Sequence, residues 1–237
     1  MCRNNWFQFK QFRIEQQKAA MKVGTDGVLL GAWTPVKSAA RILDIGTGTG
    51  LIALMLAQRS SAAIDALEID AQACEEAKIN FEQSPWRNRL SVFHSDFLMF
   101  ATQPVAPYDL IVSNPPFFVD SLKTNNAALT IARHNDTLSF DHLIAGARKL
   151  LSESGRLCVI IPFASCTEFR ETARLSGFYL SQQTLVIPKV GRPAKRVLLE
   201  FTVQGGYPID NELVILDKNG FYSDAYKTLT SPFYPAF

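Results

Sequence analysis

Apolar and polar positions follow two rhythms between about residue 40 and residue 205. Short, nearly continuous apolar runs recur at 41–45, 63–69, 90–94, 108–113, 156–161, 179–187 and 196–203, bounded by turn residues, and predict strands. Between the early runs, 51–59 and 71–83 are rich in helix formers. Residues 140–151 place Phe140, Leu143, Ile144, Ala147, Leu150 and Leu151 on one helical face, with Ser139 as N-cap. Ser165 and Glu168 have capping-box spacing before a further helix, which Gly177 is placed to end. Alternating strands and helices with apolar strands predict an α/β fold: a mostly parallel, seven-stranded sheet with helices on both faces. The last two strands have no helix between them and predict an antiparallel hairpin at the sheet's end.

The two ends differ in kind. Phe7, Phe9, Phe12 and Ile14 bracket Lys10 and Gln11, which reads as a short hairpin or a docking arm. Residues 206–237 carry several aromatics and a turn over 217–220. The expected layout is an N-terminal arm (1–38), a main domain (39–205) and a C-terminal tail packed on it (206–237).

Composition sharpens this only in places. An apolar share of 47% in 237 residues excludes a disordered chain. No pair of the four cysteines has C-x-x-C spacing and the three histidines are scattered, so no metal site is expected. No apolar run approaches membrane-spanning length and no signal segment is visible, so a cytoplasmic, monomeric protein is the expectation. The net charge of +2 suggests no polyanion partner, but its distribution does. Residues 1–41 carry seven cations and two acids, and residues 177–199 carry four cations and no acid.

Asp44-Ile45-Gly46-Thr47-Gly48-Thr49-Gly50 lies between the first strand of the main domain and the helix after it. Position 51 is Leu, so the dinucleotide spacing G-x-G-x-x-G is not met. With Asp44 ahead of it, the G-x-G-x-G spacing resembles motif I of the Rossmann-like S-adenosylmethionine-dependent methyltransferases. That resemblance implies S-adenosyl-L-methionine as cofactor. Gly46, Gly48 and Gly50 would make room for its methionine part, and Asp44 would neutralise its ammonium. Glu68, at the end of the second strand, would accept the ribose hydroxyls, with Asp70 as the competing carboxylate. Asp96, after the third strand, would hold the adenine amino group.

Asn114-Pro115-Pro116-Phe117 follows the fourth strand and resembles motif IV of methyltransferases that act on planar nitrogens. An amino group conjugated with a ring is a poor nucleophile, and an acceptor on each N–H draws it toward tetrahedral geometry. The Asn114 side-chain oxygen and the Pro115 carbonyl suit those two tasks, and the resemblance also counts Asn114 among the cofactor-binding residues. Pro116 fixes the backbone, and Phe117 offers a face on which a base stacks.

Upstream, Thr25-Asp26-Gly27 is followed by Leu29-Leu30-Gly31 and Trp33. Together with Asp44 to Gly50, Asn114 to Phe117, Arg133-His134 and the stretch Pro193 to Arg196, this resembles the bacterial valine-tRNA (adenine-N6)-methyltransferase family over nearly the whole chain. The resemblance implies methylation of the adenosine next to the anticodon (position 37), with tRNA as partner. Thr25 and Asp26 would lie over the cofactor's methionine end, or the Thr-Asp pair would simply cap a helix. Arg133 would contact RNA from a loop after motif IV. Lys189, Arg192, Lys195 and Arg196 would contact phosphates from a hairpin tip. A ribosomal RNA guanine-N2 methyltransferase shares Asn-Pro-Pro-Phe but often continues with His, where this chain has Phe118. A protein glutamine-N5 methyltransferase and an idle cofactor- or RNA-binding subunit complete the alternatives.

Overall fold

The computed structural model describes residues 4–19, 22–116 and 138–236. The chain begins with a two-stranded antiparallel hairpin, β1 (Trp6–Gln8) and β2 (Arg13–Glu15), in which Phe7 faces Ile14. Then follow α1 (Thr25–Trp33), β3 (Arg41–Ile45), α2 (Leu51–Arg59), β4 (Ala63–Glu68), α3 (Ala71–Glu82), β5 (Leu90–His94), α4 (Phe97–Phe100) and β6 (Tyr108–Ser113). After the undescribed stretch come α5 (Phe140–Leu150), β7 (Leu151–Pro162), α6 (Cys166–Leu175), β8 (Tyr179–Lys189), β9 (Arg196–Thr202), β10 (Ile209–Leu216) and α7 (Asp224–Thr230).

The main sheet has eight strands, in the order β10-β8-β9-β7-β6-β3-β4-β5. Only β9 runs antiparallel to its neighbours β7 and β8. The strand count therefore corrects the expected seven. Ile209–Leu216 joins β8 in parallel and extends the sheet at its edge. Its first half, Ile209 to Glu212, is exposed and carries Asp210 and Glu212, which hides the strand pattern and also protects an open edge. Charges on an edge strand discourage pairing with another chain and so do not read as a buried β run.

Alternate residues of each central strand face opposite layers, as the pleat requires. Ile42, Ile64, Leu110, Val112, Cys158 and Ile160 pack with α1, α2 and the N-terminal hairpin. Leu43, Leu67, Ile111, Leu157 and Val159 pack with α5 and α6. Two glycines one helical turn apart let α1 lie tightly on α2. A Cβ on Gly31 would stand 2.8 Å from Met55 Sδ, and one on Gly27 would stand 3.1 Å from Leu51 Cδ2. Helix α1 is buried from Gly27 to Ala32, so its leucines act as core; each contributes about 1.5–3 kcal/mol.

Of four local expectations, the Ser139 cap and the Gly177 stop are met and the other two are not. Ser139 caps α5 by accepting from the His142 N–H at 3.3 Å. Ser165 precedes α6 without a side-chain cap bond, because a 3₁₀ turn over Phe163–Ser165 leads into the helix instead. Helix α1 starts at Thr25 after Gly24, so Asp26 and Gly27 lie in its first turn and form no side-chain cap. Gly177, at φ +81°, ends α6 with the Phe178 N–H donating to the Ala173 carbonyl at 3.0 Å.

Candidate active site

The carboxyl ends of β3, β4, β5 and β6 lie side by side. Ile45 pairs with both Ser113 and Leu67, and Glu68 pairs with His94. One residue further on, the same register places Asn114, Gly46 and Glu68 across neighbouring strands about 4.8 Å apart. The Ser113 hydroxyl donates to the Ile45 carbonyl at 2.9 Å and fastens the two strand ends. Strand ends at the switch point of an open α/β sheet are where such folds place a ligand.

Asp44 is fully buried. Its Oδ2 accepts from Thr47 Oγ1 at 2.6 Å and from the Ala53 N–H at 3.2 Å. It thereby serves the first turn of α2, whose N-cap Gly50 has no side chain to do so. Its other oxygen, Oδ1, is buried with no partner among the described residues. Burial pushes the Asp44 carboxyl up to about 7, with the nearby Glu68 charge adding to the rise against the Thr47 and Ala53 bonds. A buried acid with one unsatisfied oxygen is suited to a cation or a donor, and it is costly without one.

The glycine loop divides by role. Gly50 (φ +83°) has no alternative, because a Cβ there would stand 2.5 Å from the Phe81 ring. Gly46 and Gly48 have positive φ and open space where a Cβ would be. That open space forms a cradle able to take a ligand. Glu68 lines it: Oε2 accepts from the Gly48 N–H at 2.8 Å, and Oε1 accepts from the Ile69 and Asp70 N–H groups at 2.9 and 3.0 Å. Asp70 is exposed and caps α3, accepting from the Ala73 N–H at 2.8 Å. Of the two carboxylates, Glu68 is the one held within the cradle. Asp96 caps α4 through one oxygen, accepting from the Met99 N–H at 3.0 Å, and remains half-buried.

Asn114 Oδ1 is likewise buried without a partner among the described residues. Pro115 is buried and Pro116 exposed. Phe117, Arg133 and His134 lie outside the described residues. Asp26 and Arg196, given separate tasks from the sequence, meet: Arg196 Nε lies 2.7 Å from Asp26 Oδ2. This pair joins the start of α1 to the start of β9, while Thr25 at the head of α1 is exposed. Lys189, Arg192 and Lys195 stand at the β8–β9 turn, on the same edge of the sheet as the glycine loop, and form no ion pair among the described residues. Among those residues no group of three His, Cys, Asp or Glu is placed to hold a metal ion, and no helix is long and apolar enough to cross a membrane.

Sequence reasoning missed three supporting residues. Thr47 orients Asp44. Asn80 accepts from the Glu15 N–H at 2.8 Å and donates to the Thr49 carbonyl at 2.8 Å, tying the N-terminal hairpin to the glycine loop. Glu76 accepts from the backbone N–H groups of Gln17, Lys18 and Ala19 at 2.5, 2.9 and 2.9 Å. Glu76 and Asn80 stand four residues apart among Ala73, Ala77 and Phe81 on the buried face of α3, and that polar pair in an apolar stripe was a readable signal.

A family profile described as the methyltransferase small domain matches residues 21–169. A predicted O-methyltransferase from Agrobacterium tumefaciens superposes with a TM-score of 0.65 at 19% identity, covering 88% of this chain and 96% of its own. A ribosomal protein L11 methylase from Lactobacillus delbrueckii subsp. bulgaricus superposes with a TM-score of 0.56 at 15% identity, covering 79% and 82%. At those identities the likeness concerns the fold. Sequence relatives are much nearer. The tRNA1(Val) (adenine(37)-N6)-methyltransferase of Bacteroides fragilis (strain YCH46) is 50% identical over 97% of both chains. Proteins of the same name from Bacteroides thetaiotaomicron and Aeromonas hydrophila are 47% identical over 98% and 44% identical over 99% of both chains. With a glycine cradle, an Asn-Pro-Pro strand end and that degree of identity along its whole length, the chain belongs to the tRNA1(Val) (adenine(37)-N6)-methyltransferase family.

Proposed function

We propose that the protein methylates N6 of adenosine 37 in a valine tRNA, using S-adenosyl-L-methionine. The observation that carries this reading is the buried Asn114 Oδ1, without a partner among the described residues, at the end of β6, one strand from the open cradle over Gly46 and Gly48. The residues present fit the cofactor. Asp44 Oδ1 suits its ammonium, Glu68 its ribose hydroxyls and Asp96 its adenine amino group, with Gly46, Gly48 and Gly50 giving the chain its close turn. Thr25 and Asp26, at the head of α1, close the methionine end. When bound, the cofactor supplies an electrophilic methyl group on a sulfonium.

The protein's own residues do the remaining work. Asn114 Oδ1 accepts one N–H of the adenine amino group, and the Pro115 carbonyl accepts the other. Both bonds favour a tetrahedral nitrogen whose lone pair points at the methyl. Phe117 stacks on the extruded base, and a base already in a loop costs less to unstack. Holding nitrogen and methyl in line supplies roughly 7–11 kcal/mol of barrier reduction. No strong base is needed, since the amino proton becomes acidic only once the nitrogen is methylated. Lys189, Arg192, Lys195 and Arg196 contribute phosphate contacts, Arg196 from its pairing with Asp26, and Arg133 adds one from the segment after motif IV.

The test is incubation with unmodified tRNA and a labelled methyl donor, followed by nucleoside mass analysis. N6-methyladenosine is expected; N2-methylguanosine, or no labelled nucleoside, refutes the reading. Asn114→Ala is expected to reduce turnover by at least about 10³-fold while cofactor binding persists. Retained turnover in that variant sinks the assigned role.

A further inference from the structure

The basic β8–β9 turn does not stand alone on its edge of the sheet. Strand β10 ends beside it, with Leu216 paired to Lys189 and the Val190 N–H donating to the Leu216 carbonyl at 2.9 Å. The chain then folds into a tight turn. Asp217 Oδ1 accepts from the Asn219 and Phe221 N–H groups at 2.8 and 2.9 Å, and the Asp217 N–H donates to the Phe221 carbonyl at 2.8 Å. Those bonds engage the only acid of the turn and hold Lys218 and Phe221 outward, Phe221 being 70% exposed. On the other side of the basic turn, the Phe163 N–H donates to the Lys195 carbonyl at 3.1 Å, and the Phe163 ring is 45% exposed at the end of β7. Val190, between them, is 52% exposed.

Phe163, Lys195, Arg192, Lys189, Lys218 and Phe221 thus follow one another along one edge of the sheet, at the carboxyl ends of β7, β8 and β10 and the amino end of the antiparallel β9. None of the four cations forms an ion pair among the described residues. Two exposed rings flanking a row of unpaired cations match what a single-stranded nucleic acid offers: flat bases to stack and phosphates between them. The row continues from Asn114 across four strand spacings, about 19 Å, so a strand engaged at Asn114 can run along it without leaving the edge.

We infer that this row is a second RNA subsite, in which Phe163 and Phe221 stack on unpaired nucleotides flanking the methylated adenosine while Lys189, Arg192, Lys195 and Lys218 hold their phosphates. The inference rests on the RNA substrate proposed above and assigns the tail after residue 206 a part in binding it. It needs rigid stacking surfaces at both ends. The Asx-type turn at Asp217 supplies one and the 3₁₀ turn at Phe163 the other.

The experiment measures tRNA affinity by filter binding across a salt series, with wild-type protein, Phe163→Ala, Phe221→Ala, Phe221→Trp and Lys218→Ala. Both rings are exposed, so thermal melting is expected to be unchanged and to certify the variants as folded. Each alanine variant is expected to weaken binding roughly 5- to 150-fold, the range of one lost base stack, with the salt slope unaltered. Phe221→Trp restores affinity. Lys218→Ala instead lowers the log–log salt slope by about 0.7. Unchanged affinity of Phe163→Ala and Phe221→Ala, in a preparation whose wild type methylates tRNA, overturns the subsite and leaves the proposed function standing. Unchanged affinity with loss of a self-associated species in sedimentation assigns the face to a second copy of the chain. A wild type that neither binds nor methylates tRNA overturns both readings.

Discussion

Residues 1–41 carry seven cations against two acids, and residues 177–199 carry four against none, yet among the described residues the fold pairs more of the first set than of the second. In the first, Arg13 lies 2.8 Å from Glu15 and 4.4 Å from the centre of the Trp6 ring. Lys18 lies 2.8 Å from Glu75 and holds that carboxyl below its usual range. Lys10 donates to the Ser231 carbonyl, and Arg41 lies 3.0 Å from Asp65 and over the Tyr108 ring. In the second stretch Arg196 meets Asp26, while Lys189, Arg192 and Lys195 form no ion pair among the described residues. A cation with a local acceptor presents a dipole, whose field fades quickly; an unmatched one keeps its reach over about a Debye length, 8 Å at physiological salt. Segment charge is therefore a poor guide to where a polyanion binds until the acceptors are known.

The anion Glu76 gathers more of the N-terminal arm's backbone than any one of the arm's cations does, and this gives the largest expected effect. Glu76→Ala removes a carboxylate that collects three backbone N–H groups from residues 17–19. A loss of about 2–4 kcal/mol in unfolding free energy is expected by denaturant titration, because Ala19 is buried and its N–H has no replacement acceptor. Loss of less than about 0.5 kcal/mol would show that the arm is held without Glu76, by the burial of Phe9, Phe12 and Ile14 and its other hydrogen bonds.

Neutralising the second stretch is expected to act on binding and leave folding alone. A Lys189→Ala, Arg192→Ala, Lys195→Ala triple variant should melt like wild type, bind tRNA on the order of 10²-fold more weakly at low salt, and lose about 2 from its log–log salt slope. An unchanged slope would remove these residues from the interface and break the contrast between the two stretches.

The contrast also marks how far the sequence could be read. The central strands were legible because both faces are covered, so that Ile42, Leu43, Leu110 and Ile111 are all apolar. The glycine cradle and the Asn114 strand end were legible because tight turns and fixed strand ends demand particular residues at close spacing. Strand β10 was not, since its exposed half alternates nothing apolar. The meeting of Asp26 with Arg196 was not, since it spans 170 residues of chain and neither residue signals the other. Nor was the neighbourhood of Phe221, which depends on β10 being a strand at all.

The smallest expected effect is the one that separates paired from unpaired charge most directly. An Arg13→Gln, Lys18→Gln double variant removes two positive charges, only one fewer than the triple loop variant. If charge count governed binding, tRNA affinity would fall nearly as far. Both cations, however, already face a carboxylate at 2.8 Å, and removing each leaves Glu75 exposed and Glu15 half-buried but in reach of water. A cation already held by a carboxylate is not free to contact a phosphate, so its loss removes no counterion-releasing contact. Affinity measured by filter binding is therefore expected to change by less than about two-fold, with an unaltered salt slope. A slope reduced by more than 1 would place the N-terminal hairpin against the RNA and make both basic stretches parts of one interface.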